Sequence, residues 1–174
     1  MTLSPPLRKL VLTTHVVTSV GWLGAVLAYL VLDLTATLGD NLLAVRAAFL
    51  AMRMTIIYSI VLLAIASVLV GVINALGTPW GLVRHYWVVV KLLLTLFATA
   101  ILLLETQSIN YMAEVAANGL DPRTLPGSLP HSIGGLMVLL TVTILAIYKP
   151  SGVTPYGWRR RQEQRARRDS ERQT

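Results

Sequence analysis

Four stretches of this chain are too long, too apolar and too free of charge to be anything in water. Residues 10–32, 55–76, 83–104 and 131–148 read as continuous apolar runs, with Lys91 the one clearly interior charge. About 20 such residues in a helix cross a hydrocarbon layer of about 30 Å. Continuous rather than alternating apolarity excludes a β-barrel, whose strands turn every second side chain to the lumen. The expected fold class is therefore all-α: a polytopic membrane protein built as a four-transmembrane-helix bundle. Only 13% of the 174 residues are charged, about half the share of a soluble domain.

The first run lacks the short apolar core and small-residue cleavage site of a signal peptide, and is kept as a true span. Before the second run, residues 42–54 continue a helical pattern, with Arg46 and Arg53 seven apart on one face, so this helix begins outside the bilayer. It stops at Gly77. Thr78 and Pro79 then read as N-cap and first-turn proline of the third helix. Past Glu105 a polar helix continues through Tyr111 and stops at Gly119. Pro122, Pro126 and Pro130 break the next connection.

The chain thus divides into residues 1–150 as a transmembrane domain and 151–174 as a basic tail. The net charge of +7 is concentrated there, with eight basic residues against three acidic ones from Lys149 onward. Counted at span ends, one side carries Arg8, Lys9, Arg84, Lys149 and the tail, and the other Arg46, Arg53 and Arg123. The positive-inside rule makes the first side cytoplasmic, so both termini lie inside, with Trp80 and Trp87 at that inner interface. The tail's expected partner is anionic lipid rather than nucleic acid.

Ionisable residues inside spans are candidates for function. His15 shares a stripe with Thr18, Trp22, Ala25 and Tyr29 that would face the bundle. Two readings stand for it: a neutral imidazole bonded to a neighbouring helix, or a ligand in a cofactor site. His85, at similar depth on the third helix, would be the second ligand of haem b or a metal ion, with Arg84 and Lys91, seven apart, near any propionates or lipid phosphates. Alternatively His85 is an interfacial residue and Lys91 extends its amine to the headgroups. At the other end, His131 and Glu105 would meet as a proton-linked or metal-binding pair, or stand as ordinary interface residues. Small residues at Gly24 and Ala28 fit close helix approach and self-association.

Cysteine is absent, which removes thiolate sites, and no nucleotide loop, zincin histidine pair or serine elbow occurs. An enzyme acting alone is not expected. The candidate functions are a haem- or metal-binding module, a cofactor-free oligomeric or accessory subunit, and, third, a small transporter.

Three segments carry a resemblance: residues 15–24 (HVVTSVGWLG), 77–91 (GTPWGLVRHYWVVVK) and 148–158 (YKPSGVTPYGW). Together they resemble a family of small bacterial integral membrane proteins of unknown function, frequent in actinobacteria, over most of the chain except residues 105–130. The first segment is also similar to the opening helix of copper-resistance membrane proteins of the D type. The resemblance implies a bacterial cytoplasmic (inner) membrane location, and the second likeness implies copper handling. Reporter fusions at Thr174 and within residues 105–130 should fall on opposite sides of the membrane. A C-terminus on the outer face would overturn this topology.

Overall fold

The computed structural model describes residues 4–78 and 81–173, apart from the side chains of 167 and 171–173. It is all helical. Four helices are long and apolar enough to cross a membrane: α1 Pro5–Leu38, α2 Leu42–Leu76, α3 Tyr86–Ala117 and α4 Leu129–Tyr148. A fifth, α5 Pro155–Gln173, is the basic tail. The chain is thus a multi-pass membrane protein by the length and composition of these helices.

The helices run longer than the apolar runs required. At 1.5 Å per residue, the 32 residues of α3 span about 48 Å and the 20 of α4 about 30 Å. The extra turns of α1, α2 and α3 project at the end remote from the tail. The expected helical entry at residues 42–54 and the continuation of α3 past Glu105 are both present, with α3 ending two residues before Gly119. The third helix starts later than expected. Its N-cap is His85, and Thr78 lies in a bend before it. Pro79 and Trp80 lie outside the described residues.

The helices form a ring in chain order, each packed on the next and α4 returning to α1, so that α1 and α3 face each other diagonally. The polar contacts give the directions. Ser19 and Ser67 hydroxyls lie 2.8 Å apart across α1 and α2, and Asp33 meets Ser132 across α1 and α4; in both cases the neighbours are antiparallel. Outward faces carry residues such as Val17, Val20, Leu69, Leu93, Phe97 and Ile147, all exposed. Apolar side chains turned outward around a thin polar seam are what a lipid solvent selects.

The projecting end is built differently. Val45, Ala48, Phe49, Met52, Ile109, Met112 and Ala116 are buried there, Val45, Met52 and Ile109 completely. Area burial drives such packing in water. Two arginines fasten the loops over it. Arg46 donates to the carbonyls of Gly119 and Leu120 at the end of α3. Arg123 donates to the Gly39 carbonyl after α1 and pairs with Asp121 at 2.7 Å, which holds the Asp121 carboxyl below its usual range. Asn41 caps α2 by accepting from the Leu43 and Ala44 amides.

Arg46→Ala should free two exposed carbonyls just past α3, costing about 0.5–1.5 kcal/mol. Hydrogen exchange of residues 114–120 should rise while that of the apolar spans is unchanged. Uniform exchange across the chain would contradict this local role.

Candidate functional site

Between the four helices lies a half-open cleft of about 310 Å³, at the level where the projecting end meets the apolar spans. Its walls come from Trp22, Val26 and Tyr29 of α1, Ile56 and Ile60 of α2, residues 97–105 of α3 and residues 130–139 of α4. Ile56–Ile60 is a π-helical turn inside α2. Such a turn inserts one extra residue and rotates the rest of the helix about its axis, a local feature that often accompanies a site. Here it lies at the start of the second uncharged run.

One end of the cleft is polar. His131 Nδ1 lies 3.5 Å from Glu105 Oε2, so the pair expected from antiparallel α3 and α4 does meet. Beside it, Asp33 is buried, with 1% exposure. Its two carboxylate oxygens accept from Ser128 at 2.7 Å and Ser132 at 2.6 Å. Ser128 precedes α4 and Ser132 lies one turn into it, so their hydroxyls reach the carboxylate together. One turn before Asp33, the buried Tyr29 hydroxyl is within electrostatic reach of Asp33, Glu105 and Ser128 but makes no well-formed hydrogen bond. A buried polar group lacking a partner is costly. The Tyr29 hydroxyl is a ready contact for a ligand in the cleft.

The stripe of His15, Thr18, Trp22, Ala25 and Tyr29 faces the bundle as expected, each residue buried or half-buried. His15 itself meets Lys91, with Nε2 3.3 Å from Nζ. The lysine stem spans the diagonal between α3 and α1 instead of extending to the headgroups. A Cβ at Gly71 would stand 2.8 Å from His15 Cε1, so any larger residue there would push the ring from its present place. His15 Nδ1 is buried without a partner.

His85 has other company. Its backbone pairs with Val153 and its Nε2 lies 3.3 Å from Arg161 NH2. Lys91, the residue that meets His15, is six residues, about 9 Å, further along the helix. Arg84 precedes α3, so the face it was expected to share with Lys91 does not exist. Arg84 lines a hollow against α5. Among the described residues no three histidine, aspartate or glutamate side chains gather to hold a metal. Gly24 is exposed, and a Cβ added there would meet nothing within 4 Å, so the Gly24 and Ala28 face is turned away from the bundle.

Asp33, Ser128, Ser132 and Tyr29 are not evident as a group in the sequence. Asp33 reads as the charge that ends the first span, and the serines as part of a proline-broken loop. The available signal is helical spacing: Tyr29 and Asp33 are four apart and continue the His15 stripe. Comparison with known protein families, curated proteins and solved structures finds no match to the chain.

Ser128→Ala and Ser132→Ala each remove a donor from a buried carboxylate and should cost about 1–3 kcal/mol. Thermal unfolding in detergent should show a lowered midpoint for each, and a lower one still for the double variant. Wild-type stability in both single variants would mean that Asp33 does not depend on them.

Proposed function

We propose that the protein is a membrane-embedded binding module that takes a small amphipathic molecule, with an apolar body and a cationic or hydrogen-bond-donating head, into the cleft beside Glu105 and His131. The carrying observation is the composition of that cleft: apolar and aromatic walls closed at one end by the Glu105 carboxyl, the His131 imidazole, the Tyr29 hydroxyl and the two serine hydroxyls that hold Asp33. Its volume is at the lower limit of the ligand-sized range, about 300–1,000 Å³. Among the described residues no arginine or lysine lines the cleft, so Glu105 is the one carboxylate on its wall and has no fixed cation beside it there. The proposed setting is the bacterial cytoplasmic membrane, with both termini on the cytoplasmic side and the cleft nearer the outer leaflet.

Haem ligation jointly by His15 and His85 draws no support from this geometry, because Lys91 engages Nε2 of one and Arg161 that of the other. A metal at Glu105 and His131 would need donors from solvent or from a ligand, since one imidazole and one carboxylate are an incomplete set.

Octyltrimethylammonium and octylsulfonate share a tail and differ in head charge. Calorimetry on the full-length protein in a neutral detergent should show saturable binding of the cation alone. Glu105→Gln should weaken it roughly tenfold, the scale of one lost charge-assisted contact. Equal heats for both amphiphiles, or none for either, would remove the proposed ligand class.

A further inference from the structure

The end of the molecule carrying the tail holds a second cavity, remote from the cleft and independent of its ligand. Its hollow, about 350 Å³, is lined by Arg84 and His85 from the segment before α3 and by Gly157, Arg160, Arg161 and Gln164 from α5. Every charged group on its wall is basic. Glu163 on the same helix does not line the hollow and pairs with Arg160 at 3.5 Å.

Charges of one sign repel when gathered, so something must hold these residues together. The backbone does so. Tyr86 N donates to the Gly152 carbonyl at 3.3 Å and Thr154 N to the Arg84 carbonyl at 3.0 Å. The Thr154 hydroxyl donates to the Val83 carbonyl at 2.6 Å and accepts from the Gly157 amide at 3.1 Å, capping α5. Gly157 then packs directly on the Arg84 carbonyl, where any Cβ would overlap the oxygen. A tail that merely decorated the surface would need none of this. The contacts set the backbones that carry three arginines and one histidine around a single hollow near the start of a 19-residue helix, whose N-terminus adds partial positive charge.

We infer that this hollow is a phosphate-binding site, formed by Arg84, His85, Arg160 and Arg161 and closed by the docking of α5 on the segment before α3. Guanidinium groups present paired donors that match phosphate oxygens two at a time. Arginine carries donors only, so His85 Nε2 accepts from Arg161. A phosphate arriving there takes the Arg161 donors in a charge-assisted contact, and the His85 ring donates to it once its proton moves from Nδ1 to Nε2. Tyr86, Trp87 and Trp158 flank the hollow in sequence, residue types that sit at headgroup level. The phosphate is that of a lipid headgroup or a soluble phosphate; the recognition chemistry is the same.

Full-length protein in phosphatidylcholine nanodiscs, at about 0.15 M salt to screen diffuse attraction, separates the sources. One arm titrates inorganic phosphate by calorimetry. The other introduces phosphatidylglycerol and counts retained lipid by native mass spectrometry. Saturable one-to-one binding of either probe is expected, and the probe that binds names the source. Arg84→Gln and Arg161→Gln should each weaken it at least roughly tenfold. Arg168→Gln, which removes the same charge about one turn beyond Gln164, the last wall residue, should change it less than about twofold. Circular dichroism should show unchanged helix content in all three. An Arg168→Gln loss equal to the others would reduce the effect to diffuse tail charge, and absence of saturable binding by both probes would overturn the site.

Discussion

Lipid rewards no helix for burying an apolar face, so polar side chains within the spans decide how this bundle closes. Three of the four seams of the ring have a polar contact of this kind. Ser19 meets Ser67 between α1 and α2, Asp33 meets Ser128 and Ser132 between α1 and α4, and Glu105 meets His131 between α3 and α4. Lys91 crosses the diagonal to His15. Leaving any of these groups against hydrocarbon would cost several kcal/mol. Their pairing therefore sets register and direction in a bundle whose outer surface is nearly featureless.

The two ends of the molecule are solved by different physics. Remote from the tail, α1, α2 and α3 outrun α4 and bury a core like that of a soluble protein, locked by Arg46 and Arg123 on loop carbonyls. The cleft lies where that dense packing gives way to the lean lipid-facing bundle. The π-helical turn of α2 falls at the same level and supplies Ile56 and Ile60 to its wall. At the tail end there is no such core among the described residues. Backbone pairing between residues 83–86 and 152–154 holds α5 instead, and the side chains gathered there are cationic.

This arrangement brings together segments that are far apart in the chain. Residues 77–91 and 148–158, two of the three segments that carry the family resemblance, touch each other through Arg84, His85, Val153 and Thr154. The third, residues 15–24, meets α3 through His15 and Lys91. The tail is thereby a helix docked at its root, where Arg161 reaches His85 and Arg160 stacks on Tyr156.

The number of spans, their helical nature, the entry of α2 before the bilayer and the extension of α3 beyond it were all legible in the sequence. Each follows from local apolarity and helical period, which need no partner to be read. The meeting of Glu105 with His131 was also within reach, because both close apolar runs on the same side of the membrane and so share a depth on antiparallel neighbours. Partner choice was not. His15 and His85 have matching chemistry and similar depth, yet Lys91 is long enough to reach the first and α5 folds back onto the second. Asp33 looks like a boundary charge until two serines of a distant loop are seen donating to it. Depth along a helix is encoded in the count of residues; the direction a side chain faces, and what waits there, depends on how four helices rotate against one another, and only the tertiary structure decides that.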